Sequence, residues 1–149
     1  MLRAKCGVAA AALDALLWVR MRFGYTILYV HDVRASLDFY ERAFGQRRRF
    51  LHESGQYAEL ETGGTALAFA DLELAASNLP GDSVPAAPGD SPPSFEVCFV
   101  SDDVGGAFSR AVEAGAEPVT TPHSKPWGQD VAYVRDRDGT LVEIASPVS

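Results

Sequence analysis

The pattern of apolar and polar residues predicts one strand, one helix and three more strands in the first half of the chain. Residues 21–30 are rich in β-branched and aromatic side chains, which is typical of a strand. Apolar residues recur with helical spacing over 33–44, where Asp32 is suited to cap the start and Gly45 to end the helix. Three short strands are predicted next, separated by turns, at about 48–52, 56–61 and 65–70.

The same order of elements returns in the second half. The elements predicted there are a strand at 95–100, a helix at 104–114 capped by Asp102 or Asp103, and strands at about 117–121, 130–135 and 140–145. Residues 72–93 lie between the halves and hold five of the nine prolines, so they are expected to form a connector. A short helical segment at 72–79 is expected to open it.

Equal spacing between matching residues indicates an internal duplication. The pair Asp32 and Val33 recurs 71 positions later as Asp103 and Val104. The segment 64–69 matches the segment 139–144, which lies 75 positions further on. Because this offset exceeds 71 by four residues, longer loops are expected in the second half. We therefore predict an α+β domain over 21–149 built from two βαβββ modules, at about 21–71 and 94–147.

Composition and charge narrow the possible partners. The 149 residues suffice for one domain with its own core. Thirteen Lys and Arg residues against 20 Asp and Glu residues give a net charge of −7, which argues against a nucleic-acid partner. Two cysteines, Cys6 and Cys98, are too few for a disulfide framework, and the apolar run around Cys98 predicts a buried thiol. The predicted compartment is a reducing cytoplasm.

Residues 1–20 do not follow the pattern of the remaining chain. Their basic residues and alanine-rich apolar stretch loosely resemble a signal peptide, but Asp14 interrupts that stretch and no clear cleavage site follows. The stretch is also too short to span a membrane, so no membrane partner is expected. We expect Met21 to be the natural start and residues 1–20 to be an upstream extension, which the intact mass of the native protein would test.

Two glutamates occupy strand positions where apolar residues are the rule. Glu96 lies in the first strand of the second module, and Glu143 in its last strand. Alternation places Glu96 on the same face as Cys98 and opposite Val97. A carboxylate buried there would need a proton, a partner, a metal or water, whereas on a solvated face it would need none. Both interpretations remain open at this point.

Longer stretches of the sequence resemble a known family. The segments HDVRASLDFYERAFG, DDVGGAFSRAVEAGA and VAYVRDRDGTLVEI are similar to the vicinal oxygen chelate superfamily, which includes glyoxalase I, bleomycin- and fosfomycin-resistance proteins and extradiol dioxygenases. The resemblance covers about residues 21–147. It implies two βαβββ modules whose mixed sheets form an open, cup-like barrel around one pocket, and commonly a homodimer. It also implies a divalent metal held by the first and last strands of each module.

Carried over residue by residue, the four implied metal positions fall on Tyr25, Ala68, Glu96 and Glu143. Alanine cannot coordinate, and a neutral phenol is a poor ligand for Zn²⁺, Ni²⁺ or Mg²⁺. The two glutamates would hold a hard cation only with water or substrate completing the shell. The cofactor is therefore either a weakly bound divalent metal or none, and this ligand set does not suit a glyoxalase I or an Fe(II) dioxygenase.

Three further side chains are candidates for the ligand pocket together with Tyr25. His52 ends the second strand, and Tyr57 lies in the third. Trp127 stands between Pro126 and Gly128, where its ring would cover the flat face of a ligand. Two of these have a structural alternative, which is an ordinary strand tyrosine for Tyr57 and a hydrophobic lid for Trp127.

Two functions follow from these residues. The first is a binding protein, resembling the bleomycin-resistance branch, that takes a small cationic or aromatic molecule in the barrel pocket without the usual metal tetrad. The alternative is a metal-assisted lyase, isomerase or dioxygenase in which Glu96 or Glu143 acts as a general base. A purely structural homodimer also stays open, because a fold alone does not choose among functions.

Overall fold

The computed structural model describes residues 21–78 and 95–148, and the described residues form two four-stranded mixed sheets with helices. The elements in chain order are β1 (Tyr25–Val30), α1 (Val33–Phe44), β2 (Arg48–Leu51), β3 (Tyr57–Leu60), β4 (Ala66–Asp71), α2 (Leu72–Ser77), β5 (Val97–Val100), α3 (Val104–Glu113), β6 (Glu117–Ser124), β7 (Asp130–Arg135) and β8 (Leu141–Ala145). The expected extension at 1–20 and most of the expected connector, 79–93, lie outside the described residues.

Both sheets share one strand order, β1-β4-β3-β2 in module one and β5-β8-β7-β6 in module two. The pairs β1–β4 and β5–β8 are parallel, and the other pairs are antiparallel. Ile27 lies opposite Ala68 just as Cys98 lies opposite Glu143, so strand register keeps the offsets of 71 and 75. The predicted α+β fold of two βαβββ modules is confirmed, and the two sheets remain open as in a cup.

The two longer helices begin at the predicted caps. The side chain of Asp32 accepts the N–H of Ala35 at 3.0 Å, and Asp103, rather than Asp102, accepts the N–H of Gly106 at 2.9 Å. Gly45 follows α1 with a φ of 64°, a left-handed conformation that costs glycine little. Local capping chemistry therefore sets where each module turns from its first strand into its helix.

The strand β6 is longer than predicted. It has eight residues, against four in β2, and its pairing with β7 contains two register shifts. His123, expected in a loop, therefore lies in a strand opposite Val131. The strand was predicted to end at residue 121 because Pro122 follows. In the structure β6 is an edge strand, where the missing N–H of a proline costs the sheet few hydrogen bonds.

One hydrophobic core joins the two modules on the helix side of the sheets. Helix α1 packs against α3, and the ring of Phe44 stacks on Phe99 with their centroids 5.0 Å apart. The buried ring of Tyr40 contacts Phe69 of its own module and Phe99 of the other. Each such buried aromatic contributes about 1.5–3 kcal/mol through area removed from water. The modules are therefore parts of one packed unit.

A buried hydrogen bond also crosses between the modules. The hydroxyl of Tyr40 donates to the carboxylate of Asp136 at 2.9 Å, and Asp136 also accepts the N–H groups of Asp138 and Thr140. In the same turn, Asp138 accepts the backbone N–H of His31 at 2.9 Å. Burial raises the pKa of Asp136, although these hydrogen bonds oppose the rise. The hydrogen-bond donors therefore offset only part of the free-energy cost of burying the ionised carboxylate.

We predict that Asp136→Ala lowers the free energy of unfolding by about 2–4 kcal/mol, because one hydroxyl and two N–H groups lose their buried acceptor. Asp136→Asn retains an acceptor oxygen and should cost markedly less in urea denaturation. Because the folded-state pKa of Asp136 is raised, its contribution to stability grows as the pH falls through that pKa. The free energy of unfolding of wild type should therefore increase relative to that of Asp136→Asn as the pH becomes acidic. Equal losses of stability in Asp136→Ala and Asp136→Asn would contradict this account.

Candidate functional site

The candidate residues lie on the face of each sheet that is turned away from the core, called here the open face. In β5, Val97 and Phe99 pack against the core, so Glu96 and Cys98 point to the open face of module two. Glu143 joins them there from β8, since it lies opposite Cys98. Alternation had predicted this arrangement of Glu96 and Cys98.

The open face of module two brings the two predicted glutamates together. Glu143 accepts the hydroxyl of Tyr133 at 2.8 Å across the β7–β8 pair. Glu96 precedes Cys98 by two residues, so its side chain lies on the same face as that of Glu143. Burial, followed by the charge and the hydrogen bond of Glu143, raises the pKa of Glu96. The two carboxyl groups are therefore close enough for the charge of one to affect the protonation of the other.

Two neutral donors surround this pair. Burial and then the hydrogen bond to Glu143 raise the pKa of Tyr133 to about 12. The same two causes raise the pKa of the Cys98 thiol to about 12. Cys98 is nevertheless exposed, and the prediction of a buried thiol was wrong, because β5 is an edge strand whose open face carries no helix. Both groups stay protonated at neutral pH, so Cys98 is not a nucleophile here.

A lysine completes the charges at the site. The Nζ atom of Lys125 lies 5.9 Å from the centroid of the Tyr133 ring, within cation–π range, and its charge lowers the pKa of Glu96. Backbone hydrogen bonds of 2.8 and 2.9 Å, to Gln129 and from Gly128, hold the loop that carries Lys125. Sequence reasoning singled out this loop for Trp127 and missed both Lys125 and Tyr133, because only the pairing of β6, β7 and β8 places them beside the glutamates.

The open face of module one carries a related polar group. Tyr57 donates its hydroxyl to Glu59 at 3.0 Å, and the side chain of Glu59 is only 13% exposed. The Nε atom of Arg49 lies 3.7 Å from the other oxygen of Glu59. Burial and the bond to Glu59 raise the pKa of Tyr57 to about 12, with a smaller contribution from nearby Tyr25. Glu59 was missed, although it stands two residues from Tyr57 and so on the same face of the strand.

The other predicted residues are placed as follows. Tyr25 is 53% exposed at the start of β1, and Ala68 is fully buried in β4. The ring of His52 bonds to the hydroxyl of Ser54 within the β2–β3 turn. The indole N–H of Trp127 donates to Gln129 at 3.0 Å, which holds the exposed ring at the tip of the β6–β7 hairpin. The hydrogen bonds of His52 and Trp127 thus stay within their own hairpins.

A cavity of about 400 Å³ lies between the two modules, alongside β5. It is lined by polar and apolar side chains from both modules, namely Thr26, Gln46, Thr62, Thr65, Ala66, Leu67, Glu96, Val97, Cys98, Phe99 and Val100. Among the predicted site residues, Glu96 lines it, whereas Glu143, Tyr25, His52, Tyr57 and Trp127 do not. A space of this size suits a small molecule, and Glu96 connects it to the carboxyl pair.

The donor set does not fit a divalent metal. Within 21–78 and 95–148, no group of three or more His, Cys, Asp or Glu side chains is placed to hold a metal ion. Ala68 offers no side-chain donor atom, and Glu143 already accepts the Tyr133 hydroxyl. One of the two implied carboxylate ligands is therefore engaged by another protein group.

Comparison with known proteins places this geometry in a family. The sequence profile of the Glyoxalase/Bleomycin resistance protein/Dioxygenase superfamily matches residues 22–144. The chain belongs to this superfamily. It is 29% identical over 118 residues to the uncharacterized protein YraH of Bacillus subtilis (strain 168), a match that covers 78% of this chain and 91% of YraH.

Solved structures of the superfamily are similar throughout the chain. A glyoxalase-related enzyme from Fulvimarina pelagi has a TM-score of 0.74 at 24% identity, over 86% of this chain and 89% of its own, which shows the shared fold. Lactoylglutathione lyase from Agrobacterium tumefaciens has a TM-score of 0.61 at 25% identity, over 85% of this chain and 94% of its own.

In the described part of the chain, no helix has the length and apolarity to cross a membrane.

We predict that the Cys98 thiol alkylates slowly despite its exposure, in a Cys6→Ser background where it is the remaining cysteine. With a pKa of about 12 it is a thiolate about 10⁻⁴ of the time at pH 8, against roughly a quarter for an ordinary cysteine. Glu143→Gln removes a hydrogen bond and a charge that raise this pKa, so it should speed alkylation by iodoacetamide several-fold. An equal rate in both proteins would contradict the coupling of Cys98 to Glu143.

Proposed function

We propose that the protein binds a small cationic or aromatic molecule in the cavity between its modules, without the metal tetrad usual in the superfamily. The observation that carries this proposal is the placement of Glu96 and Glu143 on one open face, with Glu96 lining a cavity of about 400 Å³. The pair is supplied with hydrogen-bond donors by the protein itself. Its available chemistry is therefore recognition of a positive charge or a hydrogen-bond donor on a ligand.

The cationic preference is supported by the closeness of the two acidic groups, since the charge of Glu143 raises the pKa of Glu96. Deprotonation of Glu96 leaves two carboxylates side by side, whose mutual repulsion raises its pKa. A ligand ammonium placed between them would relieve that repulsion and displace the proton. Charge-assisted hydrogen bonds of this kind are roughly twice as strong as neutral ones. A cationic ligand should therefore bind more tightly as the pH rises through the raised pKa of Glu96.

The aromatic preference is supported by side chains on the open face of module one, which lie outside the cavity lining and would contact a planar part of the ligand that extends beyond it. Tyr25, Ile27 and Tyr29 lie on one face of β1, and the ring of Phe50 on β2 has its centroid 6.5 Å from that of Tyr57. Tyr25, Ile27, Tyr29 and Phe50 are each about half exposed. Aromatic rings that are held by a strand yet open to solvent give a planar ligand a stacking surface at little entropic cost.

An enzymatic function is the second candidate, and the raised pKa of Glu96 favours it. A carboxyl group with a raised pKa beside an ionised one is the arrangement that general acid–base catalysis uses. The name of the Agrobacterium protein, a lactoylglutathione lyase, shows that this fold supports such chemistry in a relative of 25% identity. A lyase, isomerase or dioxygenase of this type would need a weakly held divalent metal, so stoichiometric metal in the purified protein would favour it over binding.

A homodimer in the cytoplasm is part of the proposal. Large apolar side chains are exposed beside the first strand of each module, with Phe23 just before β1 at 72% and Val100 at the end of β5 at 66% exposure. Burying such side chains against another protein surface removes apolar area from water. A second copy placed against these strands would bury both side chains and would narrow the mouth of the cavity.

We predict that protonated amines carrying a planar ring raise the melting temperature of the protein in a thermal-shift panel. Glu143→Gln should weaken the affinity for the best compound about tenfold, since it removes one charge-assisted hydrogen bond. Glu117→Gln, at an exposed position on β6, is the matched control and should leave the affinity unchanged. No shift with any cationic or aromatic compound would reject the proposed binding function.

We predict a mass of about twice 16.0 kDa by size-exclusion chromatography with light scattering. Val100→Lys should shift the protein toward the monomer, because it places a charge within the apolar surface next to the cavity. Val148→Lys changes another exposed valine, near the end of the chain, and serves as control. A monomeric wild type, or an unchanged mass in Val100→Lys, would reject this interface.

A further inference from the structure

The cavity between the modules follows the edge of β5 and not one of its faces. Side chains of neighbouring residues in a strand point to opposite faces. Every residue of the segment 96–100 lines the cavity nonetheless, so the cavity runs along the strand and reaches both of its faces. Among the described strands, β8 pairs with β5 on one side, and no strand pairs with it on the other. The cavity therefore lies against an unpaired strand edge.

The backbone groups at this edge follow from the hydrogen bonds on the opposite side of β5. The N–H of Ser101 donates to the carbonyl of Ala145 at 2.8 Å, and the pairing of β5 with β8 is parallel throughout. In such a ladder, alternate residues turn both their N–H and their C=O toward the same neighbouring strand. Those of Phe99 thus also point to β8, whereas those of Cys98 and Val100 point to the cavity.

Unpaired backbone groups of this kind bind another extended chain by strand addition. Main-chain hydrogen bonds then supply the affinity, and side chains at alternate positions supply the selectivity. Strand β1 also lies at a sheet edge, but Thr26 is the one residue of β1 that lines the cavity. The edge that a ligand in the cavity meets along its length is therefore that of β5.

The opposite wall of the cavity leaves this edge as the main source of main-chain recognition. The hydroxyl of Thr62 donates to the carbonyl of Thr65 at 2.7 Å and accepts the N–H of Leu67 at 2.9 Å. The hydroxyl of Thr65 donates to the carbonyl of Phe23 at 3.2 Å. These two lining threonines therefore use their hydroxyl groups within module one, whereas Cys98 turns a donor and an acceptor to the cavity.

We propose that the edge of β5 binds a short, extended peptide in which a basic residue stands between two apolar residues. A ligand residue opposite Cys98 has its side chain on the open face, where Glu96 and Glu143 stand. The ligand residues on either side of it point to the other face, beside Val97 and Phe99, which pack against the core. The acidic and the apolar side chains thus select different ligand residues at alternate positions.

The size of the cavity and the charge of the chain limit the choice of partner. A volume of about 400 Å³ is in the range of small-molecule sites, so it admits a few residues of peptide and not a folded domain. The net charge of −7 favours a basic ligand over an acidic one. The inference rests on the proposed function and adds to it that the cationic ligand carries amide groups.

Isothermal titration calorimetry with the blocked peptide acetyl-valyl-lysyl-valine methylamide tests this inference. In an antiparallel pair with Cys98, the N–H and C=O of the lysyl residue face β5, and those of the valyl residues face away. Methylation of the lysyl nitrogen should weaken binding about tenfold or more, because it removes one hydrogen bond and places a methyl group against the strand. Methylation of the second valyl nitrogen is the matched control and should leave the affinity nearly unchanged.

The calorimetric outcomes separate this inference from the proposed function. Equal affinities of the two methylated peptides would overturn the inference, as would an unchanged affinity when norleucine replaces the lysine of the probe. Absence of peptide binding, in a protein that aromatic amines stabilise in the thermal-shift panel, would overturn the inference and leave the proposed function standing. Absence of binding by peptide and amines alike would reject both.

Amide hydrogen exchange followed by NMR locates the peptide on the strand. The N–H groups of Cys98 and Val100 should exchange quickly in the free protein and about tenfold or more slowly at a saturating concentration of the peptide. The N–H of Phe99, which is bonded to β8, is the internal control and should be protected in both states. Unchanged exchange at Cys98 would overturn the inference. Protection of Cys98 without peptide, lost on dilution, would do the same, because a second copy would then occupy the edge.

Discussion

The buried contact between Tyr40 and Asp136 is the constraint on which the rest of the structure depends. Tyr40 belongs to the helix of module one, and Asp136 to the β7–β8 turn of module two, yet hydroxyl and carboxylate meet 2.9 Å apart in the core. Burial holds the pKa of Tyr40 well above its ordinary value, so the hydroxyl remains a donor. Because the bond is directional, it fixes the orientation of one sheet relative to the other, which apolar packing alone would leave looser.

This constraint reaches the candidate site through two strands. The turn that contains Asp136 joins β7 to β8, and those strands carry Tyr133 and Glu143 on their other face. The core therefore determines where the carboxyl pair stands relative to the cavity and to module one. Because side chains alternate between the two faces of a strand, the same strands contribute to the core on the helix side and to the proposed binding site on the open face.

The fold was predictable from the sequence because its determinants are local. The caps Asp32 and Asp103, the helical spacing that follows them and the matching offsets are all visible along the chain. The pairing of Glu96 with Glu143 was predictable in outline, since alternation and duplication together place both on one face. The partners of the pair were not, because Tyr133 and Lys125 reach it only through the register of three strands, and register depends on long-range packing. The exposure of Cys98 was mispredicted for a similar reason, since an apolar run does not show which strand lies at a sheet edge.

Duplication explains the scaffold of the site and not its chemistry. Both open faces carry a tyrosine that donates to a glutamate, but Tyr57 and Glu59 share one strand, whereas Tyr133 and Glu143 face each other across two. An inherited pair would occupy equivalent positions, and strand register places Glu59 opposite Ala68, the equivalent of Glu143. The same hydrogen bond was therefore built by different residues in each module. A neutral phenol bound to a carboxylate keeps that carboxylate oriented without neutralising it, and each open face gains a fixed acceptor in this way.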